Sequence, residues 1–331
     1  MSNFRAEMAQ KPTDDFGTLA PAPSIFPKSA NRITEYSGGP TGPMKGKLTR
    51  ATVLRDRHDL RTLAYLAATI GLFVYQWTRP GLFNPWLYPL SLFLSFTAAV
   101  ISHNHNHVGL WRWRPLNLLT SYAIGFFYGF PAFAWVPTHN QNHHLFNNSP
   151  GDLSISPVLF RRNHLAALAI YPPVTELAQF QLLWRYMRGL RGRRLWGALS
   201  EYAVFGALMA LCFALDFRKA LILVILPQIF AKYAIQCVGY FQHIDCAPQS
   251  EWDHSRNFVG PVVNALLFNN GFHTVHHHHP GVHWSKLPAL HSSCAYRIDI
   301  ALRRRSLPGW FAEVFVLDPG RTWLRRLRPS G

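Results

Sequence analysis

Long apolar runs separated by polar, basic stretches dominate the pattern of the chain. Four runs are almost free of charged residues: Thr62–Thr78, Trp86–Ser102, Leu195–Leu215 and Lys219–Phe241. At about 1.5 Å per helical residue, the two shorter runs reach about 25 Å, near the lower limit for crossing a bilayer. Short loops join the runs in pairs, so the pattern predicts four transmembrane helices arranged as two hairpins.

Two further apolar stretches, Leu116–Trp135 and His164–Trp184, contain several glycines and prolines. The interrupting residues are Gly125, Gly129, Pro131, Pro172 and Pro173. Glycine and proline weaken a continuous helix, and a broken helix at membrane depth must be covered by protein or lie at the interface. These stretches therefore predict interfacial or re-entrant helices.

The basic residues fall on one side of the predicted hairpins. The chain has 33 Lys and Arg and a net charge of +17, and all but Arg79, Arg218, Lys219 and Lys232 lie before, between or after the hairpins. By the positive-inside rule that face is cytoplasmic, and both termini lie there. The chain contains no nucleic-acid-binding motif, which argues against a nucleic-acid partner. Its preference for arginine favours a bacterial inner-membrane protein.

Composition divides the chain into three parts. Residues 1–60 form a polar arm rich in proline and glycine, which we expect to be disordered. Residues 61–295 form the membrane domain, and residues 296–331 form a basic tail. The predicted fold is all-α and integral to the membrane.

Histidines are concentrated in three clusters beside the predicted hairpins. The residues at helical spacing are His103 and His107; His139, His143 and His144; and His273, His276 and His277. Offsets of three and four residues place side chains on one face of a helix. His243, at the end of the fourth run, lies on the same membrane side. His105, His278 and His279 lie off these faces, so we do not expect them to be ligands.

Nine imidazoles exceed the needs of one tetrahedral zinc, and two metals would each receive four or five of them. Imidazole suits iron, zinc, copper and nickel, so the ligand set alone does not name the metal. The sequence thus predicts a cytoplasmic, histidine-rich cap holding two metals. A histidine-rich metal transporter is a remote alternative, because transporters place their ligands near the bilayer midplane.

The three clusters resemble the histidine boxes of the integral-membrane fatty-acid desaturase family. The resemblance extends beyond the histidines to the HHxxP…W…LP tail of the third box, carried by Pro280, Trp284, Leu287 and Pro288. His243 occupies the place of that family's extra ligand, and Asp152 resembles the acidic residue that follows its second box. Gly239 stands where some relatives have an asparagine.

The resemblance implies a non-haem di-iron centre that uses O₂ and an external reductant to oxidise an alkyl chain. It implies a fatty acyl substrate in a lipid and a ferredoxin- or cytochrome-b5-like electron donor. A hydroxylase or ketolase of the same fold, acting on an alkane, a sphingolipid or a carotenoid, remains the alternative.

Polar neighbours of the boxes are candidates to orient the imidazoles, as hydrogen-bond acceptors commonly do at metal sites. The main candidates are Asp152, Asp245, Asn269 and Asn270, and Asn104, Asn106, Asn140 and Asn142 are further ones. Lys232 lies near the middle of the fourth run, where a charge is costly. It either serves the functional site or pairs with a polar neighbour inside the bundle.

Overall fold

The computed structural model describes residues 53–156 and 165–317. Residues 1–52, which make up most of the predicted N-terminal arm, lie outside the described residues. Residues 157–164 and 318–331 also lie outside them. The described chain is mostly helical. Its only strands are two short parallel ones, β1 (Asn257–Phe258) and β2 (Arg303–Arg304), which pair with each other.

The first half of the chain folds into a hairpin followed by a sharply bent segment. Its helices are α1 (Asp59–Thr78), α2 (Tyr88–His107), α3 (Arg114–Tyr128), a 3₁₀ turn (Ala132–Ala134), a π-helical segment (Val136–His143) and α4 (His144–Phe146). The chain turns by 88° between α3 and the segment that follows it. The bend falls where glycine and proline predict a break, since Gly129 ends α3 with a φ of 89°. A side chain at Gly129 would also collide with Gln228.

The second half supplies three long helices and the elements around the third histidine box. They are α5 (Leu165–Gly189), α6 (Gly192–Leu215), α7 (Phe217–Lys219), a π-helical segment (Ala220–Ile225), α8 (Leu226–His243), α9 (Pro261–Leu266), α10 (His273–His278), a 3₁₀ turn (Trp284–Lys286), α11 (Leu287–Cys294), 3₁₀ turns at Ala295–Arg297 and Ile300–Leu302, α12 (Leu307–Phe311) and a π-helical segment (Ala312–Leu317).

Pro172 and Pro173 lie inside α5 and do not interrupt it, contrary to the expectation from sequence. The buried residues on this part of α5 include Tyr171 and Thr175, and Tyr171 donates a hydrogen bond to the carbonyl of Ser154. These tertiary contacts hold the helix through the two positions where proline removes a backbone donor.

Among the described residues, two helical segments are long and apolar enough to cross a membrane, Gly192–Leu215 and Phe217–His243. The bent pair Arg114–Tyr128 and Ala132–Phe146 would be a third if it formed one broken span. Helices α1 and α2 lie where the first hairpin is predicted, but α2 ends in the polar sequence SHNHNH, which lowers its hydropathy. The count of four spans remains a prediction.

The core forms around α2, which is buried where it carries small residues. Ala98, Ala99 and Val100 have no exposed surface, and Ala99 and Val100 pack with residues of α1, α3, α8 and the third histidine box. A second core cluster joins the end of α8 to Trp310, Val314 and Phe315. The first part of the predicted basic tail is thus packed against the body of the protein.

Candidate metal centre

Four elements end at one place and carry the predicted ligands with them. They are the C-terminal end of α2, the π-helical segment with α4, the C-terminal end of α8, and α10. The nine histidines divide into two groups in which one nitrogen of each residue lies within 4.8 Å of those of its group. The five-histidine group is His103, His107, His139, His144 and His276, and the four-histidine group is His143, His243, His273 and His277.

Histidines from the same sequence box belong to different groups. In the second box, the Nε2 atoms of His139 and His144 approach to 3.0 Å, whereas His143 joins the other group. Residues five apart share a face in a π-helix, which closes i→i+5 hydrogen bonds and is frequent at functional sites. The three histidines expected on one helix face, His139, His143 and His144, are therefore divided between the two groups. The third box divides in the same way, because His276 faces the first group and His273 and His277 face the second.

Four nitrogens of the five-histidine group form a closed ring. The Nε2 atoms of His103, His139, His144 and His276 follow one another at 2.9, 3.0, 3.2 and 3.0 Å. The centre of a flat square with such edges lies about 2.1 Å from each corner, the usual length of a metal–imidazole bond. The Nε2 of His107, the fifth member, is buried without a hydrogen-bond partner.

The four-histidine group forms a chain of similar contacts. The Nε2 atoms of His143 and His243 lie 3.0 Å apart, those of His243 and His273 lie 2.8 Å apart, and those of His273 and His277 lie 3.1 Å apart. A buried polar atom must be satisfied, and converging imidazole lone pairs are satisfied together by a cation. The donor set of each group therefore fits a metal ion.

The surroundings of the third box keep its histidines neutral, as metal ligands must be. Burial, aided by neighbouring imidazoles, holds the pKa of His273, His276 and His277 well below the usual value for histidine. A histidine that stays neutral keeps one nitrogen lone pair free to bind a metal.

Asp152 fixes the orientation of His143. Its Oδ2 accepts a hydrogen bond from the Nδ1 of His143 at 2.7 Å, so the Nε2 of that ring is left as the ligand atom. Burial raises the pKa of Asp152, but the adjacent His143 and hydrogen bonds from Ser154 outweigh it and hold this pKa below its ordinary value. The carboxylate is thus charged, and it can only accept.

Three further contacts orient ligand rings. The Nδ1 of His103 lies 3.1 Å from the Oδ1 of Asn104, and the Oγ of Ser154 lies 3.2 Å from the Nδ1 of His143. The Nδ1 of His243 lies 3.3 Å from the carbonyl oxygen of His254. Sequence reasoning included Asn104 but missed the other two. Ser154 could have been found by its place directly after Asp152, whereas any residue can offer a carbonyl.

The other proposed orienting residues occupy different places. Asn269 donates to the carbonyl of Trp284, and the carbonyl of Asn270 accepts from Gln242. Asn269 and Asp245 both have left-handed backbones, with φ of 58° and 56°, so each forms a turn beside a box. The role proposed for these three residues in orienting the ligand rings remains a prediction.

The histidines expected to lie off the ligand faces belong to neither group. His105 is buried with its Nε2 3.2 Å from the carbonyl of Asn117, and His278 stacks on Trp252 with its Nε2 2.8 Å from the carbonyl of Glu251. His279 follows the end of α10. These placements agree with the helical offsets read from sequence.

A cavity of about 150 Å³ adjoins both histidine groups. At one end it is lined by His103, His139, His143, His243 and His273, and at the other by polar residues of α5 and α8. Aromatic and aliphatic side chains such as Trp135, Phe180, Leu183 and Ile235 lie along its walls. The lining suits an alkyl chain whose carbons approach the ligand nitrogens.

Comparison with known proteins identifies one family. The model of the fatty acid desaturase family matches residues 80–299, which include all nine histidines and cover well over half of the chain. No curated protein matches the chain, and no solved structure does.

Proposed function

Because the chain belongs to the fatty acid desaturase family, we propose that it is an O₂-dependent di-iron oxidoreductase that introduces a double bond into a fatty acyl chain of a lipid. One observation supports this most directly. Nine imidazoles converge as two adjacent groups, one of five and one of four, beside a cavity with apolar walls. That combination matches a reaction in which a metal centre acts on a hydrocarbon.

The five-histidine group would hold one iron and the four-histidine group the other. The proposed ligands are His103, His107, His139, His144 and His276 for the first, and His143, His243, His273 and His277 for the second. Imidazole alone does not select iron over zinc or copper. O₂-dependent oxidation needs a redox-active metal, which argues against zinc, and the fatty acid desaturase family favours iron over copper.

When bound, the two irons would supply an oxidant, derived from O₂, that can remove hydrogen from an unactivated methylene. The residues of the chain orient the proposed ligands and position the substrate. Asp152 and Asn104 fix the tautomers of their histidine partners, so that the Nε2 atoms face the metal positions. Trp135, Leu183 and Ile235 exclude water and orient the acyl chain along the cavity.

We propose that the electrons come from a separate protein, and the net charge of the chain favours an acidic one. A net charge of +17, concentrated on the predicted cytoplasmic face, would attract an acidic ferredoxin- or cytochrome-b5-like donor. We propose that four transmembrane helices hold the protein in a bacterial inner membrane, with both termini and the metal centre on the cytoplasmic side.

Expression in a bacterial host with a compatible ferredoxin tests the reaction. Mass spectrometry of the total lipids would compare cells carrying the wild-type chain with cells carrying His143→Ala. We expect a new acyl species lighter by two hydrogen atoms in the wild-type cells alone.

Three outcomes would contradict desaturation. An acyl product heavier by one oxygen atom would identify a hydroxylase, and an oxidised carotenoid with unchanged acyl chains would identify a ketolase or hydroxylase of that substrate. The absence of any oxidised lipid from an iron-loaded protein supplied with electrons would remove the proposed activity altogether.

A further inference from the structure

One face of α8 connects the metal centre to a charged pair. Lys232, Ile235, Gln236, Gly239 and His243 follow one another at helical spacing, and all of them line the cavity. Lys232 and His243 are eleven residues apart, which corresponds to about 16 Å along the helix axis. The cavity therefore has a metal end at His243 and a second polar end at Lys232.

At the second end, Lys232 pairs with Glu176 of α5. The Nζ of Lys232 donates to the Oε1 of Glu176 at 2.9 Å. Both side chains keep some exposure, 27% for Lys232 and 49% for Glu176, and both line the cavity. An ammonium has three donors and a carboxylate accepts at both oxygens, so the pair retains hydrogen-bonding capacity on each side.

Lys232 contributes a charge to a segment that is otherwise strongly apolar. Lys232 lies near the middle of the segment Phe217–His243, which is apolar and long enough to cross a membrane. Ionisable groups at such depth are rare and generally mark a binding site or pathway. Here they border a cavity that continues to the proposed metal ligands, so a molecule filling the cavity would meet both ends.

We propose that the lipid substrate carries a neutral group that both donates and accepts hydrogen bonds, a hydroxyl or an amide, and that Lys232 and Glu176 bind this group. The inference rests on the proposed function, because it takes the cavity as the place of the acyl chain. It adds a class of substrate to the proposed function. It also explains positional specificity, because binding of the polar group by the pair sets which carbon of the chain lies beside the metal ligands.

The charge balance of the site favours a neutral group over an anion. Glu176 already neutralises Lys232, so a carboxylate or a phosphate would bring a second negative charge against Glu176. The nearby Gln179 and Gln236 also line the cavity, and an amide side chain offers both a donor and an acceptor. A hydroxyl or an amide can satisfy this set without leaving a charge unpaired.

Direct binding measurements test the proposal independently of turnover. The full-length protein, reconstituted in lipid nanodiscs, would be titrated with radiolabelled N-stearoylethanolamine and with stearate, which have the same chain but a neutral or an anionic end. We expect the amide to bind at least tenfold more tightly than stearate. Lys232→Met and Glu176→Gln should each weaken amide binding at least tenfold.

A matched control and a second type of variant distinguish a loss of binding at the pair from a general loss of structure. Lys219 lies on the same long segment and donates to the carbonyls of Trp77 and Arg79, away from the cavity, so Lys219→Met should leave binding unchanged. A Cβ at Gly239 would meet nothing within 4 Å, so Gly239→Phe should project into the cavity and abolish binding of both lipids.

The results separate this proposal from the proposed function. Equal or tighter binding of stearate, or amide binding that is unchanged in both variants of the pair, would overturn the proposal, even if the protein held iron and desaturated a lipid. Selective amide binding that depends on the pair would support it, even if no double bond were formed. Iron content would be measured on the same samples.

Discussion

Asp152 lies nine residues beyond His143 in the chain, and its carboxylate accepts a 2.7 Å hydrogen bond from the Nδ1 of that histidine. Both side chains are buried, at 0% exposure for Asp152 and 8% for His143. The contact requires the chain after the second box to turn back on itself. Asn147 and Asn148 make that turn with left-handed backbones, with φ of 47° and 62°.

Replacing Asp152 should weaken metal binding without removing a proposed ligand. In Asp152→Ala, the ring of His143 loses the acceptor that fixes its tautomer, and loss of such a partner typically costs 10–100-fold in metal affinity. Iron retention during dialysis against a graded series of chelator concentrations would measure the effect. Retention equal to that of the wild type would show that Asp152 does not support a ligand.

Asp216 offers the matched control for that measurement. Its carboxylate accepts a hydrogen bond from the backbone N–H of Lys219, at the start of a helix in the loop between α6 and α8. Asp216→Ala removes a helix cap, which costs about 1 kcal/mol of stability. It should leave iron retention unchanged.

Removing one proposed ligand from either group should lower the iron content and the activity. His276→Ala leaves four histidines in the first group, and His143→Ala leaves three in the second. We expect each protein, after anaerobic loading, to hold fewer than two irons per chain and to lose activity. Elemental analysis of the purified proteins provides the measurement.

The corresponding controls are His105→Ala and His279→Ala, because neither residue belongs to a group. Both should retain most of their iron, although His105→Ala empties a buried position and should lower stability. A His143→Ala protein that kept two irons would remove the ligand assignment for the second group.

Thiol labelling in intact cells tests the predicted topology. The native cysteines would first be replaced. Single cysteines would then be placed at Leu82 and Phe217, in or next to the short loops that join the two predicted hairpins, and at Ser149, beside the second box. An impermeant reagent should modify the first two positions only, because charge predicts that the boxes are cytoplasmic. Labelling at Ser149 without labelling at Leu82 would invert the topology.

Gly271 should be intolerant of any side chain. A Cβ there would lie 2.2 Å from the carbonyl oxygen of Phe258 and 2.7 Å from the Oδ1 of Asn264. Gly271→Ala must therefore shift the backbone two residues before His273, at a cost of about 1–3 kcal/mol. We expect a lower midpoint of thermal unfolding together with loss of iron.

Gly281 provides the comparison within the same box. A Cβ at Gly281 would meet nothing within 4 Å. Gly281→Ala should change stability by less than about 0.5 kcal/mol, as surface substitutions usually do. An equal loss of stability in both variants would show that the close contacts at Gly271 do not matter.

Several features of the site follow from sequence because they depend on local spacing. Helical offsets separate His103 and His107 from His105, and they leave out His278 and His279; the two groups in the structure leave out the same three residues. The glycines and the proline between Gly125 and Pro131 predict the break after α3. Both inferences hold because a helix repeats every 3.6 residues, and because glycine and proline act on the backbone at their own positions.

Tertiary structure alone decided how the ligands are shared. The sequence indicated a common face for His139, His143 and His144, but the π-helical segment pairs His139 with His144 and turns His143 towards His243. The extra residue in such a turn is stabilised by packing around the site, which local periodicity does not encode.

The same reason applies to the partners of Lys232 and His243. The sequence established that Lys232 is a charge within an apolar run, but its partner Glu176 is 56 residues away. The acceptor for the Nδ1 of His243 is a backbone carbonyl, which carries no residue-specific signal. Local spacing thus determined which histidines are candidates, whereas the packing of distant segments decided which of them meet.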